Sequence, residues 1–121
     1  MKNKLLLLVA ALLCVPIAQS KTEKVNGPDC GGGWPTNMAF GQLKNAGLLE
    51  NSSIDFSKTK TVRLASEKIG KDLWRQVYDV QFTKNSGELV EAIAVHNASS
   101  EECSMSGVEV FVVSKHLNPA K

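Results

Sequence analysis

The chain has 121 residues, 43% hydrophobic and 6% aromatic, with 14 lysines and arginines against 12 aspartates and glutamates. That length suits one domain. A charge this close to neutral excludes the clustered cationic field on which nucleic-acid or anionic-lipid binding rests.

Residues 1–20 read as a removable secretory signal. Lys2 and Lys4 open it, Leu5 to Ala18 runs without a charge, and Ala18-Gln19-Ser20 forms a small-x-small exit. The apolar run of about 14 residues is shorter than the roughly 20 needed to span a bilayer, so cleavage after Ser20 is expected rather than anchoring. A lipid anchor on Cys14 is disfavoured by the bulky Leu13 before it. Lys2 and Lys4 leave with the signal, so the remaining chain balances at 12 basic and 12 acidic residues. An exported protein, periplasmic or extracellular, with no nucleic-acid partner and no stable membrane insertion, is the expectation.

Cys14 departs as well, leaving Cys30 and Cys103 as an even pair in an oxidising compartment, where a disulfide between them is expected. A metal site built from Cys30, Cys103, His96 and His116, or a reactive thiol, are the alternatives. No C-x-x-C or H-x-x-x-H spacing supports a metal, and no cofactor or metal is expected.

Residues 21–33 form an irregular lead-in, polar and closed by Gly31-Gly32-Gly33, which read as a hinge. A phosphate loop would need a preceding buried strand and a defined glycine pattern, and neither is present. Residues 34–117 follow as a single domain. Pro35 suits the first turn of a helix on which Met38, Ala39, Phe40, Leu43, Ala46 and Leu48 share a side, with Gly47 at its end. A helix this short needs a surface to lie on. Lys60 to Ile69 alternates moderately. Asp72 to Thr83 sets Trp74, Tyr78, Val80 and Phe82 on one face against Arg75, Asp79 and Gln81 on the other. Lys84-Asn85-Ser86-Gly87 is a turn signal, Glu88 to His96 a nearly apolar strand, and the pair a hairpin. A polar loop, Asn97 to Gly107, carries Cys103. Val108 to Ser114 is the last strand, and residues 118–121 a flexible tail.

The order defines an α+β fold: one N-terminal helix packed on an antiparallel meander of about four strands, closed by one disulfide. This helix-on-meander outline is similar to cystatin-like folds, with no family motif accompanying it.

Catalytic chemistry is hard to assemble from these residues. His96 at a strand end and Ser99, Ser100, Ser104 and Ser106 after it make a Ser–His arrangement conceivable in composition, without any G-x-S-x-G elbow. Glu101 and Glu102 are adjacent, so they point to different sides of an extended chain. Asp79 and Glu91 are expected to pair across strands with Arg75. Asn51-Ser52-Ser53 and Asn97-Ala98-Ser99 match glycosylation acceptors, relevant only to a eukaryotic secretory route. Two features suggest a contact surface: Trp34, beside the glycine run, and the loop bearing Glu101, Glu102 and Met105. The disulfide would bring them to one end of the domain. The expectation is a non-catalytic protein that binds or inhibits another protein, of the inhibitor or immunity type. The alternative is a small-ligand carrier with a pocket between helix and sheet lined by Trp74, Tyr78 and Phe82.

Overall fold

A computed structural model describes residues 27–117. The expected signal, the first half of the lead-in and the tail lie outside them. Helix α1 spans Trp34–Asn45, and the strands are β1 Lys60–Gly70, β2 Leu73–Thr83, β3 Leu89–Ala98 and β4 Glu109–Val113. They form one antiparallel sheet in the order β1-β2-β3-β4. The α+β class, the single helix, the four-stranded meander and the disulfide are therefore as the sequence predicts.

The helix begins one residue before Pro35, with Gly33 at the cap. It ends by the double hydrogen bond that left-handed glycine permits: Leu48 N–H donates to Leu43 O and Gly47 N–H to Lys44 O, both at 2.9 Å, with Gly47 at φ +75°. Pro35, Ala39 and Leu43 are its buried residues, a narrow stripe at four-residue spacing. Ala46 and Leu48, expected on that stripe, are exposed, because the chain turns away at Gly47; Leu49 enters the core instead. The stripe lies on a floor of alanines. Ala92, Ala94 and Ala98 of β3 are fully buried beside Tyr78, Val80 and Phe82 of β2. Small residues on one strand and large ones on its neighbour let the helix approach without a void.

The two hairpin turns differ in how they meet left-handed geometry. Gly87 supplies it between β2 and β3 at φ +90°, whereas Asp72 adopts φ +56° between β1 and β2, a conformation that aspartate tolerates better than most residues. The β1 edge is broken by register shifts at Arg63/Ala65 and Lys68/Gly70, devices that discourage pairing with a foreign strand.

Among the described residues the sheet is covered mainly on one side. Helix and lead-in cover the face of Gln76, Tyr78, Val80 and Phe82. The other face carries Val62, Asp79, Ile93 and Phe111 in one row of register partners, with Ala65, Val77, Val95 and Glu109 in the next. Val62 and Phe111 remain 57% and 55% exposed. Arg75 does not join Asp79 and Glu91 as expected. It lies 3.9 Å from Glu109 instead, because the pleat and register place that residue beside it. Asp79 and Glu91 lie diagonally across β2 and β3 and crowd each other, with His116 4.0 Å from Glu91. Burial, then repulsion from Glu91, raise the Asp79 carboxyl above its ordinary range.

Candidate binding surfaces around the disulfide

Cys30 and Cys103 form the disulfide, 5.8 Å apart at Cα. Both cysteines are committed to it. His116 lies on the other face, 4.0 Å from Glu91, so the four residues weighed as metal ligands are not together. Among the described residues no group of three or more His, Cys, Asp or Glu side chains is placed to hold a metal.

Beneath the disulfide runs a buried polar chain. Tyr78 Oη accepts from Cys30 N–H at 2.9 Å and donates to Gln76 Oε1 at 2.7 Å. Gln76 Nε2 in turn donates to Pro28 O at 2.6 Å and to Ser66 Oγ at 3.1 Å, and Arg63 donates to Pro28 O at 2.6 Å. Gly27, at φ +92°, passes so close to Trp74 that a Cβ there would sit 2.8 Å from the ring. Side chains of β1 and β2 thus hold this part of the lead-in against the sheet. The residues just before the glycine run, Gly27 to Cys30, form a fastened strap.

His96, 1% exposed, sits beside this chain with its ring 5.5 Å from that of Tyr78. Its Nδ1 faces Asn97 O at 3.1 Å; a carbonyl only accepts, so Nδ1 carries the proton. Burial holds the imidazole below its ordinary 6.5, opposed by the backbone of Cys103 and Asn97, of which only the Asn97 contact has hydrogen-bond geometry. The folded state therefore resists a proton that the unfolded chain accepts. His96 contributes stability that is complete above about pH 6.5 and is lost as the pH falls from there towards the folded value. Denaturant midpoints at pH 7.5 and 5.5 are expected to differ, lower at 5.5, and His96→Gln to flatten this slope. Asp79 has the opposite sign, since its raised carboxyl favours the fold as acidity increases, and its window lies lower, near the carboxylate range.

The predicted contact residues separate into two kinds. Trp34 is not a free loop residue. It opens the helix, packs half-buried against the core, and its Nε1 donates to Ser106 O at 3.3 Å. That bond does bring Trp34 and the Cys103 loop to the same end. Glu101, Glu102 and Met105 are exposed, Met105 at 46%. Their loop is held at many points. Ser99 Oγ accepts from the backbone of Glu101 and Glu102 at 3.3 and 3.0 Å, Met105 N–H donates to Asn97 O at 3.1 Å, Asn97 N–H to Ser106 Oγ at 2.8 Å, and Ser100 N–H to Asp72 Oδ1 at 3.0 Å. The last bond ties the loop to the β1–β2 turn. Ser99 and Ser106 are thus occupied with backbone, Ser104 Oγ donates to the Glu102 carboxylate at 2.7 Å, and His96 Nδ1 bonds main chain rather than a hydroxyl. Of the two acceptor motifs, Asn97 is half-buried in β3 and Asn51 is exposed.

Of the expected pocket lining, Phe82 borders a cleft and Trp74 and Tyr78 do not. Tyr78 and Phe82 are buried in the core, and Trp74 packs under Gly27 with the Lys68 ammonium 5.6 Å from its ring. An open cleft of about 490 Å³ lies instead between the first half of α1 and the start of β1, lined by Phe40, Phe56, Phe82, Thr36, Thr59 and Thr61. Phe40 stands edge-on to Phe56, with ring centres 5.2 Å apart. Sequence reasoning missed Gln76, Arg63 and Asp72 as tethers. For Gln76 a signal existed: it falls on the core face of the β2 alternation, between Trp74 and Tyr78, where a polar residue implies a buried hydrogen-bonded partner.

The disulfide, and the lack among the described residues of a helix long and apolar enough to cross a membrane, are compatible with export. No family model, no curated protein and no solved structure matches the chain.

Proposed function

We propose that this is an exported, non-catalytic binding protein, and that its partner is another protein met by the stapled loop from Ser99 to Gly107. The reading rests on one observation: a surface loop fixed by a disulfide and by bonds to three separate elements still displays Met105, Glu101 and Glu102 to solvent. A loop ordered before contact loses little entropy on binding, and an exposed methionine in the same loop as two exposed glutamates offers an adaptable apolar contact beside acidic ones. Inhibitors and immunity proteins that neutralise a toxic enzyme are proteins of this kind.

Affinity recovery from the exported fraction tests it, with wild type compared with Met105→Asp and with Glu101→Lys/Glu102→Lys. Loss of the same partner with both variants, while their unfolding midpoints stay unchanged, is the expected outcome. Undiminished recovery with both variants removes this loop as the binding surface.

The small-ligand alternative is favoured by the cleft under Phe40 and Phe56, whose aromatic walls and threonine hydroxyls suit a flat, partly polar molecule. It would displace the first reading if a ligand co-purified with the protein and Phe56→Ala released it.

A further inference from the structure

The uncovered face of the sheet has its own charge pattern. On β2 it presents Arg75, Val77, Asp79 and Gln81 in alternation, so a cation and a carboxylate stand symmetrically on either side of Val77. Val77 lies in a row of Ala65, Val77 and Val95, and the neighbouring row adds Val62, Ile93 and the exposed Phe111. Asp79 and Glu91 crowd each other there, and Asp79 Oδ1 is buried without a hydrogen-bond partner. Gln81 Nε2 donates to Glu91 at 2.7 Å and His116 approaches Glu91 at 4.0 Å; neither partners Asp79 Oδ1. Arg75 is half-exposed, with one long contact to Glu109 at 3.9 Å. The crowding of two carboxyls, with one oxygen of Asp79 buried without a donor, is a costly arrangement.

We propose that this face is covered by a second copy of the chain, packed sheet on sheet about a two-fold axis that crosses the strands at Val77. Such an axis runs β2 against its copy in the opposite direction, so Arg75 of each chain stands over Asp79 of the other, with Glu91 diagonally beyond it on β3. The charges select this register. Centring the axis on Asp79 would set its half-buried carboxylate against its copy in the middle of the contact, whereas centring it on Val77 sets valine against valine between two Arg–Asp contacts and leaves only the exposed Glu109, at the end of that row, facing its copy at the β4 edge. Aligned sheets stack about 10 Å apart, a gap that arginine and aspartate side chains bridge between them. Four strands at about 4.8 Å spacing, over about eight residues, give a flat footprint of roughly 500 Å² before side-chain relief, the scale of a modest specific interface per partner. The contact is isologous, so each interaction occurs twice. It also leaves the loop around Cys103 free for another partner.

Sedimentation equilibrium of the full chain over a concentration series tests the proposal, with the protein itself as the probe. Wild type is expected to show a concentration-dependent dimer. Arg75→Asp and Asp79→Arg are each expected to weaken it about tenfold or more, as befits a close charge pair, and the double variant Arg75→Asp/Asp79→Arg to restore it. Arg75 and Val112 are exposed and Asp79 is half-buried on the uncovered face, and circular dichroism checks that each variant folds. A wild type monomeric at every concentration overturns the proposal. So does a dimer indifferent to both reversals, or one dissociated only by Val112→Pro, which would indicate pairing through the open β4 edge.

Discussion

Replacing both cysteines, as Cys30→Ala/Cys103→Ala, is expected to lower unfolding stability by about 4 kcal/mol. The bond spans 73 positions, nearly the whole described domain, and the chain-entropy account of closing a loop of that length gives this magnitude. A domain of this size has only about 5–15 kcal/mol in total, so the effect removes a large fraction of it. The locus matters as much as the size. Without the link, the lead-in keeps its bonds to Thr36, Arg63, Gln76 and Tyr78, and the loop before β4 keeps those to Trp34, Gln42, Asp72 and Asn97. Urea titration of the double variant beside wild type measures the loss. A shift below about 1 kcal/mol would mean that these hydrogen bonds, not the covalent link, hold the two ends together.

Tyr78→Phe is the second change with a large expected effect, about 3 kcal/mol. The phenol is buried, and its hydroxyl is at once the acceptor for Cys30 N–H and the donor to Gln76 Oε1. Phenylalanine keeps the ring and its packing but leaves both partners without a bond, at roughly 1–3 kcal/mol for each group stranded away from water. Burial first, followed by the nearby Asp29 charge, keeps this phenol above its ordinary 10, against the opposing pull of the Cys30 amide and Arg63. It therefore remains a donor at any physiological pH. The same amide belongs to a disulfide cysteine, so the two changes are coupled. In the cysteine-free background the lead-in can lift away and hydrate its amide, and Tyr78→Phe is expected to cost less there than in wild type. A double-mutant cycle reads this as non-additivity; strict additivity would show that the hydroxyl and the disulfide act independently.

The arrangement explains why a polar residue is kept on the core face of β2. Gln76 spends its amide on Pro28 and Ser66 and its carbonyl on Tyr78, so its own polar atoms find partners beneath the strap. Trp34 illustrates the converse. An aromatic residue beside three glycines reads as an exposed anchor, yet the helix starts on it, and the ring closes over the core while its N–H reaches the loop that carries Met105.

Local patterns were enough to determine the helix, the four strands, their hairpin connections and the pairing of Cys30 with Cys103. Periodicity, turn glycines and an even cysteine count act over a few residues or by simple parity. Three matters were decided only in the tertiary structure: which face of the sheet lies open, which partner each charged residue meets, and where a cleft forms. Asp79 was assigned to the correct face but to the wrong partner, because strand register, not alternation, put Arg75 beside Glu109. The cleft fell to Phe40 and Phe56 rather than Trp74 and Tyr78 because the strap from Gly27 to Cys30 occupies the space over those two rings. Contacts such as Tyr78 to Cys30 join positions 48 residues apart, and no short-range pattern records them. They exist only once the chain has closed on itself.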